Sequence, residues 1–337
     1  MLTTELKREL VSIKKLLKQQ DLSTIDQGIE LATSLDAPAI YEALLGGWRI
    51  LDNGRLSLEP GYVGETLTKR WSDKTWPYFA HALVQLVLHA PQDSDLHESL
   101  MLANITSLDL RGFTDLRSVD RLAQCTELRV LNLAGCTALT GVDGLAQCTK
   151  LEVLNLSGCT GLTSVEGLAQ CTKLTTLNLD RCSGLKDVSA VAHCSALSSL
   201  NLRGCSAIEG PGPWARLKVL RSLNLNGCMG LKTLDGLESC TRLEELNLAS
   251  CSGLTSIAPL KGLKRLRVLQ LTRCSSLTSL EGLAGAKASS PIFRSQYSSP
   301  LSPHLDLTGC HALENLDALS ARTDIKQLDL TGCEALE

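Results

Sequence analysis

The sequence predicts an α/β solenoid of short stacked coils, preceded by a separate, mainly helical domain. Three observations carry this. A motif, L-x-x-L-x-L-x-x-C-x-x-L, recurs with a period of 23 residues; two leucine columns two residues apart persist through every copy; and the period is absent from the first hundred residues. A fixed period of this length marks a repeat architecture in which each unit is one supersecondary element.

The reference slot of the motif is occupied in turn by Phe113, Cys136, Cys159, Cys182, Cys205, Cys228, Cys251, Cys274, Cys310 and Cys333, defining coils 1 to 10. Eight of the nine steps are 23 residues and one is 36. Leu154 and Leu156, with their equivalents in every coil, are two residues apart, so both point inward from a short strand while Val153, Asn155 and Ser157 point out. Beyond the cysteine come apolar residues at roughly every third position, such as Leu162, Val165 and Leu168. That spacing suits a tight 3₁₀-like return across the back. No coil can bury this much leucine alone, so neighbours must supply the core.

Residues 105–337 therefore resemble leucine-rich repeats of the cysteine-containing kind, with a short back segment (G-L-A-Q-C-T-K-L) similar to the internalin and phosphatase-regulator types. The resemblance implies a right-handed horseshoe with a parallel sheet on its concave side, a role in binding other macromolecules, and no catalytic activity. At a strand spacing of about 4.8 Å, ten coils give a sheet on the order of 45 Å long, enough for a protein segment or small domain.

The cysteines invite a chemical reading, and their placement argues for a structural one. At the reference slot a small side chain turned inward can offer its weak S–H donor to backbone carbonyls of the turn. A second column, Cys125, Cys148, Cys171, Cys194 and Cys240, exchanges with Leu217 and Leu263, as expected of packing. No C-x-x-C pair occurs, so zinc is not expected, and neither is any cofactor. A nucleophilic cysteine is the remote enzymatic alternative; all fourteen thiols fall in repeat slots, and no nucleophile elbow or phosphate-binding glycine loop accompanies them. Fourteen thiols point to a reducing, cytoplasmic setting.

Composition agrees. The chain has 337 residues, 44% of them hydrophobic, and a formal charge of −3, which gives no overall attraction to nucleic acid. Met1 to Gln20 lacks the continuous apolar stretch of a secretion signal, and no run approaches the length of a membrane span.

Residues 1–100 read as a capping domain, with residues 101–337 forming the repeat domain. Seven of the eleven aromatics lie in the first part. Leu2, Leu6, Leu10, Ile13 and Leu17 form one stripe of an amphipathic helix, whose Lys7, Arg8, Lys14, Lys15 and Lys18 read as a solvated face. Ser23 and Asp26 open a second helix to about Leu35, and Ala37 to Leu45 a third. Asp52-Asn53-Gly54 between Trp48-Arg49-Ile50 and Leu56-Ser57-Leu58 predicts a hairpin, and Tyr78 to Ala90 a further helix. Trp76 to Ala90 and Leu96 to Leu102 are placed to cover the first coil. His81, His89, Asp95, His97 and Glu98 lack a ligand spacing.

The pattern is interrupted in three places. Gly210-Pro211-Gly212-Pro213-Trp214 replaces one back segment, with Trp214 in a core slot. A Ser/Pro-rich insertion near 284–300 lengthens the step to Cys310 and is expected to bulge from the stack; it offers Phe293, Arg294 and Tyr297 as contact residues and Ser290, Ser299 and Ser302, each before proline, as phosphorylation candidates. After Cys333 and Leu336 the tenth coil has no return segment, which suggests a longer parent chain or an edge open to self-association.

A protein partner is expected on the sheet face. The column Asp109, Asn132, Asn155, Asn178, Asn201, Asn224, Asn247, Gln270, Asp306 and Asp329 is expected to hydrogen-bond from coil to coil as a ladder. The more variable columns beside it supply the candidate binding residues Arg111, Asp180, Arg181, Arg203, Asn226, Glu245 and Arg273. The reading is a non-enzymatic interaction module, with a sensor region of a larger protein as the alternative.

Overall fold

A computed structural model of the chain describes residues 4–16, 27–28, 31, 48–50, 56–58, 106–114, 116–210, 212–283, 304–320, 325 and 327–336. Each complete coil contributes a three-residue strand and, across the back, a 3₁₀ turn. Strands β3 (Ser107–Asp109) to β10 (Val268–Gln270) form one eight-stranded parallel sheet in chain order. Registers are offset by one repeat: Leu108 pairs with Leu131, Leu131 with Leu154, and so to Leu246 with Leu269. The leucine columns dictate this register, because a slip of one residue would expose every leucine. The back turns, such as Asp143–Gln147 and Glu166–Gln170, stand where the every-third spacing predicts them.

Inter-coil bonds extend past the named strands. Arg129 N–H donates to the Thr106 carbonyl at 2.8 Å, Leu133 to Asn155 at 2.7 Å and Gly135 to Ser157 at 2.7 Å, a pattern repeated up the stack. The inward leucines from Leu131 to Leu313 form one continuous core. On the back, close approach demands glycine in some coils: a Cβ on Gly167 would lie 2.0 Å from the Val142 carbonyl oxygen.

The insertion does not break the stack. Strands β11 (His304–Asp306) and β12 (Gln327–Asp329) make a separate two-stranded parallel sheet, yet Arg273 N–H donates to the Thr308 carbonyl at 2.7 Å and Ala312 N–H to Ser275 at 3.1 Å. Coil 9 thus sits directly on coil 8. Residues 284–303, with Phe293, Arg294, Tyr297 and the three Ser-Pro serines, lie outside the described residues. In coil 10 the core slots loosen: Leu330, Cys333 and Leu336 are only partly buried, and Leu328 is exposed.

In the first part of the chain, α1 (Thr4–Leu16) buries Leu10 and Ile13 and partly buries Leu6, as the stripe predicts, with Val11 exposed. β1 (Trp48–Ile50) and β2 (Leu56–Leu58) pair antiparallel with Trp48 opposite Leu58 and Ile50 opposite Leu56, so the expected hairpin is present. Of the second expected helix, residues 27, 28 and 31 are helical. The helices expected at 37–45 and 78–90, the covering segments at 76–102 and the histidines near them lie outside the described residues.

Candidate functional site

The sheet face is built from five consecutive slots in each coil. Two leucines point in; the residues between and after them face out. After the second leucine the chain turns sharply, and the residue just before the cysteine takes a left-handed conformation in all ten coils. In seven of them it is glycine, from Gly112 (φ 78°) to Gly332 (φ 76°). Three coils place a side chain there: Arg181 (φ 57°), Ser250 (φ 59°) and Arg273 (φ 60°). An L-residue in this region crowds its own Cβ, at a cost of about 1–2 kcal/mol. The backbone bonds of these residues are kept, for Arg181 N–H still donates to the Arg203 carbonyl at 2.6 Å and Ser250 N–H to Thr272 at 2.7 Å.

The polar column does not form the expected ladder. The asparagine and aspartate side chains of the column each turn an oxygen instead to their own chain and accept from the backbone N–H two residues on: Asn132 from Ala134 (3.1 Å), Asn178 from Asp180 (3.0 Å), Asn201 from Arg203 (3.0 Å), Asn247 from Ala249 (3.0 Å) and Asp306 from Thr308 (3.0 Å). This is an Asx turn. The physical reason is a competing donor close at hand: the turn to left-handed backbone leaves that N–H without a sheet partner, and a local bond meets it with less ordering than a cross-coil one.

Around these turns the predicted residues fall into three columns. Arg111, Asp180, Arg203 and Asn226 stand two before the reference slot; Arg181 and Arg273 stand one before it; Glu245 begins β9 (Glu245–Asn247). The structure brings Asp180, Arg181 and Arg203 together on coils 4 and 5. Arg181 Nε lies 4.0 Å from Asp180 Oδ2, and the Arg181 side chain, 69% exposed, runs over Gly204 of the next coil, where a Cβ would stand 3.4 Å from its Cγ. Asp180 Oδ1 is buried without a hydrogen-bond partner among the described residues. Arg273 lies likewise over Gly309. Arg111 is a separate case at the first coil: its Nε donates to Asp109 Oδ2 at 2.9 Å, and this bond and charge hold its guanidinium above the ordinary value. Glu245 accepts from Ser222 Oγ at 3.3 Å, drawing it toward coil 6. Ser250 was not among the predicted residues; the glycine column, legible in the sequence, is the signal that marks it.

Beneath this face the thiols form two ladders. At the reference slot each Sγ donates to the carbonyl of the second leucine of the preceding coil: Cys136 to Leu110 (3.2 Å), Cys159 to Leu133 (3.1 Å), Cys205 to Leu179 (3.1 Å) and Cys274 to Leu248 (3.1 Å). The expected S–H to backbone contact is therefore present, with the strand-end leucine as acceptor. The same carbonyls accept a backbone N–H within their own coil, as Leu133 does from Cys136 at 3.2 Å. In the second column Cys148 donates to Leu122 (3.2 Å), Cys194 to Leu168 (3.5 Å) and Cys240 to Trp214 (3.3 Å), so these thiols bond as well as pack. Burial pushes the thiols up, Cys125, Cys205 and Cys228 to about 12 and Cys148 and Cys194 to about 11.

Residues 126–170, 149–193 and 218–261 each match the family model for leucine-rich repeats in two copies. These stretches of the chain are leucine-rich repeats. No curated protein matches the chain. Among solved structures, its leucine-rich repeats are similar to internalin C2 of Listeria monocytogenes (24% identity over 57% of this chain and 80% of that one, TM-score 0.45) and to the internalin InlF of the same organism (17%, 75% and 94%, TM-score 0.44). They are also similar to the functional domain of InlJ from Listeria monocytogenes, described as including a cysteine ladder (17%, 70% and 64%, TM-score 0.38). Among the described residues no helix of the chain is long and apolar enough to cross a membrane.

Proposed function

We propose that this protein is a non-enzymatic interaction module that holds a protein partner against its sheet face, with Arg181, Arg203 and Arg273 as the principal contacts and Arg111, Asp180, Asn226 and Glu245 around them. The observation that carries this is the pair of arginines in left-handed backbone. Where seven coils use glycine, Arg181 and Arg273 keep a strained conformation and present exposed side chains. Strain of this kind persists where a side chain is needed more than the stability it costs. Arginine is also the anchor type that such a polar face offers, in the absence of surface tryptophan or tyrosine among these columns.

The thiols support the non-enzymatic reading. A nucleophilic cysteine needs a low pKa and access to solvent, whereas thirteen of the fourteen are buried and all are raised. Free thiols in this number fit a reducing compartment, and the cytoplasm is our proposed location. Residues 1–100 are proposed to cap the first coil.

Charge reversal at Arg111, Arg181, Arg203 and Arg273 together is expected to abolish partner capture from lysate while the protein stays folded by circular dichroism. Capture that survives this change and is lost on deletion of 288–300 would move binding from the sheet face to the inserted segment.

A further inference from the structure

We infer that the edge of coils 7 and 8, where the chain climbs from the back turn to the strand, is a docking surface for an acidic polypeptide segment. Between Leu246 and Leu280 the sequence holds five basic residues and no acidic one. Four of the five fall in one loop, Lys261 to Arg267. Leu263 and Leu266 of that loop are buried, and Lys261, Lys264, Arg265 and Arg267 are all exposed. Apart from Gly262, every residue the loop shows to solvent is a cation.

The same loop in other coils shows what its slots do when the fold alone is served. Residues nine before the reference slot touch their equivalents in the next coil: Glu127 and Lys150 form an ion pair there between coils 2 and 3. Seven before it, Arg129 pairs with Glu152 at 2.8 Å and Arg221 with Glu244 at 2.6 Å. In coils 7 and 8 the first of these slots holds Arg242 and Arg265, two like charges where coils 2 and 3 place opposite ones; Lys150 and Lys173 of coils 3 and 4 are also alike, but there Lys150 is paired with Glu127. Like charges in directly facing positions are unfavourable in the free protein. The carboxylates of coil 7 do not relieve them. Glu244 is held by Arg221, Glu245 by the Ser222 hydroxyl, both toward coil 6, and Glu238 accepts from the Gly236 N–H at 2.9 Å. Among the described residues, Arg242, Lys261, Lys264, Arg265 and Arg267 take no ion pair.

Charge complementarity selects the occupant. The patch is a few coils wide, on the order of 10–15 Å, and sits on a chain whose total charge is −3. A short run of carboxylates meets the patch alone, while a long nucleic acid would also meet the net negative remainder. The edge shows no aromatic residue on which bases could stack.

The test uses the full chain and a fluorescein-labelled peptide of eight glutamates, titrated at low salt and at physiological salt. The peptide is expected to bind, more weakly as salt screens the charges. A variant carrying R242S, K264S, R265S and R267S should lose binding by roughly tenfold or more. At physiological salt, neutralising the sheet-face arginines of coils 1, 4 and 5 (R111S, R181S and R203S) should leave peptide binding within about twofold of wild type, so failure of that proposal and failure of this one are separable. R265E is a second arm: by recreating an opposite-charge pair with Arg242 it should raise the unfolding midpoint and weaken the peptide. Equal binding by wild type and the quadruple serine variant, or tighter binding of an eight-nucleotide oligothymidine than of the peptide, would overturn the inference.

Discussion

The Cys310 thiol donates to the Leu271 carbonyl at 3.3 Å across 39 residues of sequence, the bond that Cys274 makes to Leu248 across 26. The difference is the length of the insertion, and coil 9 still meets coil 8 with the bond that the 23-residue steps make. Deletion of 288–300 restores the uniform separation. Because closing a longer loop costs only about 0.6 kcal/mol per doubling, the shortened chain should unfold in urea with a midpoint and slope within error of wild type. A large fall in midpoint would show that the insertion contributes to the fold.

The thiols set an alkaline limit on stability. The ordinary thiol value is 9.0, and burial raises Cys125, Cys136 and Cys171 to about 12 and Cys159 and Cys240 to about 11. The folded state therefore keeps protons that the unfolded chain releases above about pH 9. Above that pH the unfolded state binds fewer protons, so stability falls as pH rises, by up to about 1.4 kcal/mol per unit for each thiol, until pH passes the folded values. Below pH 9 the thiols should impose no slope. Chemical denaturation from pH 7 to 10.5 should show a flat region and then a steep decline, shallower in a variant with Cys159, Cys182 and Cys205 changed to alanine.

Replacing Arg181 or Arg273 by glycine should stabilise the protein. Both hold φ near 60° in a column where glycine is the rule, and the relief of left-handed strain is about 1 kcal/mol each. Some is returned because glycine loosens the unfolded chain. R181G and R273G are expected to raise the thermal midpoint while weakening partner capture; equal capture by the double variant would remove the reason for keeping the strain.

Much of this was readable in the chain itself. The two leucine columns determine strand, register and the sheet side of the core, because the residues that alternate with them face out, and the every-third apolar residues determine the back turn and its side of the core. What the columns could not disclose was the choice among local bonds. Asn155 has the neighbouring amide and the Ser157 N–H within reach, and only the turn geometry shows that the N–H wins. The second thiol column exchanges with leucine, a signal of packing that conceals a hydrogen bond. The basic edge was hidden by averaging: a net charge of −3 says nothing of four cations gathered in the one loop from Lys261 to Arg267.

Trp214 fills the core slot behind the Gly-Pro segment and carries a cost there. Its ring is fully buried, and its Nε1 has no hydrogen-bond partner among the described residues. Gly212 lies flat against it, since a Cβ there would stand 1.9 Å from the ring. An unmet buried donor costs about 1–3 kcal/mol, close to what is lost when phenylalanine leaves a small void in place of the wider ring. W214F should therefore change stability by no more than about 1 kcal/mol, and W214A should cost about 3–5 kcal/mol. G212A should be destabilising by about 1–3 kcal/mol, because the ring has no free side to move toward. Urea unfolding of the three variants tests the set, and a phenylalanine variant as damaged as the alanine one would mean that the indole N–H is satisfied after all.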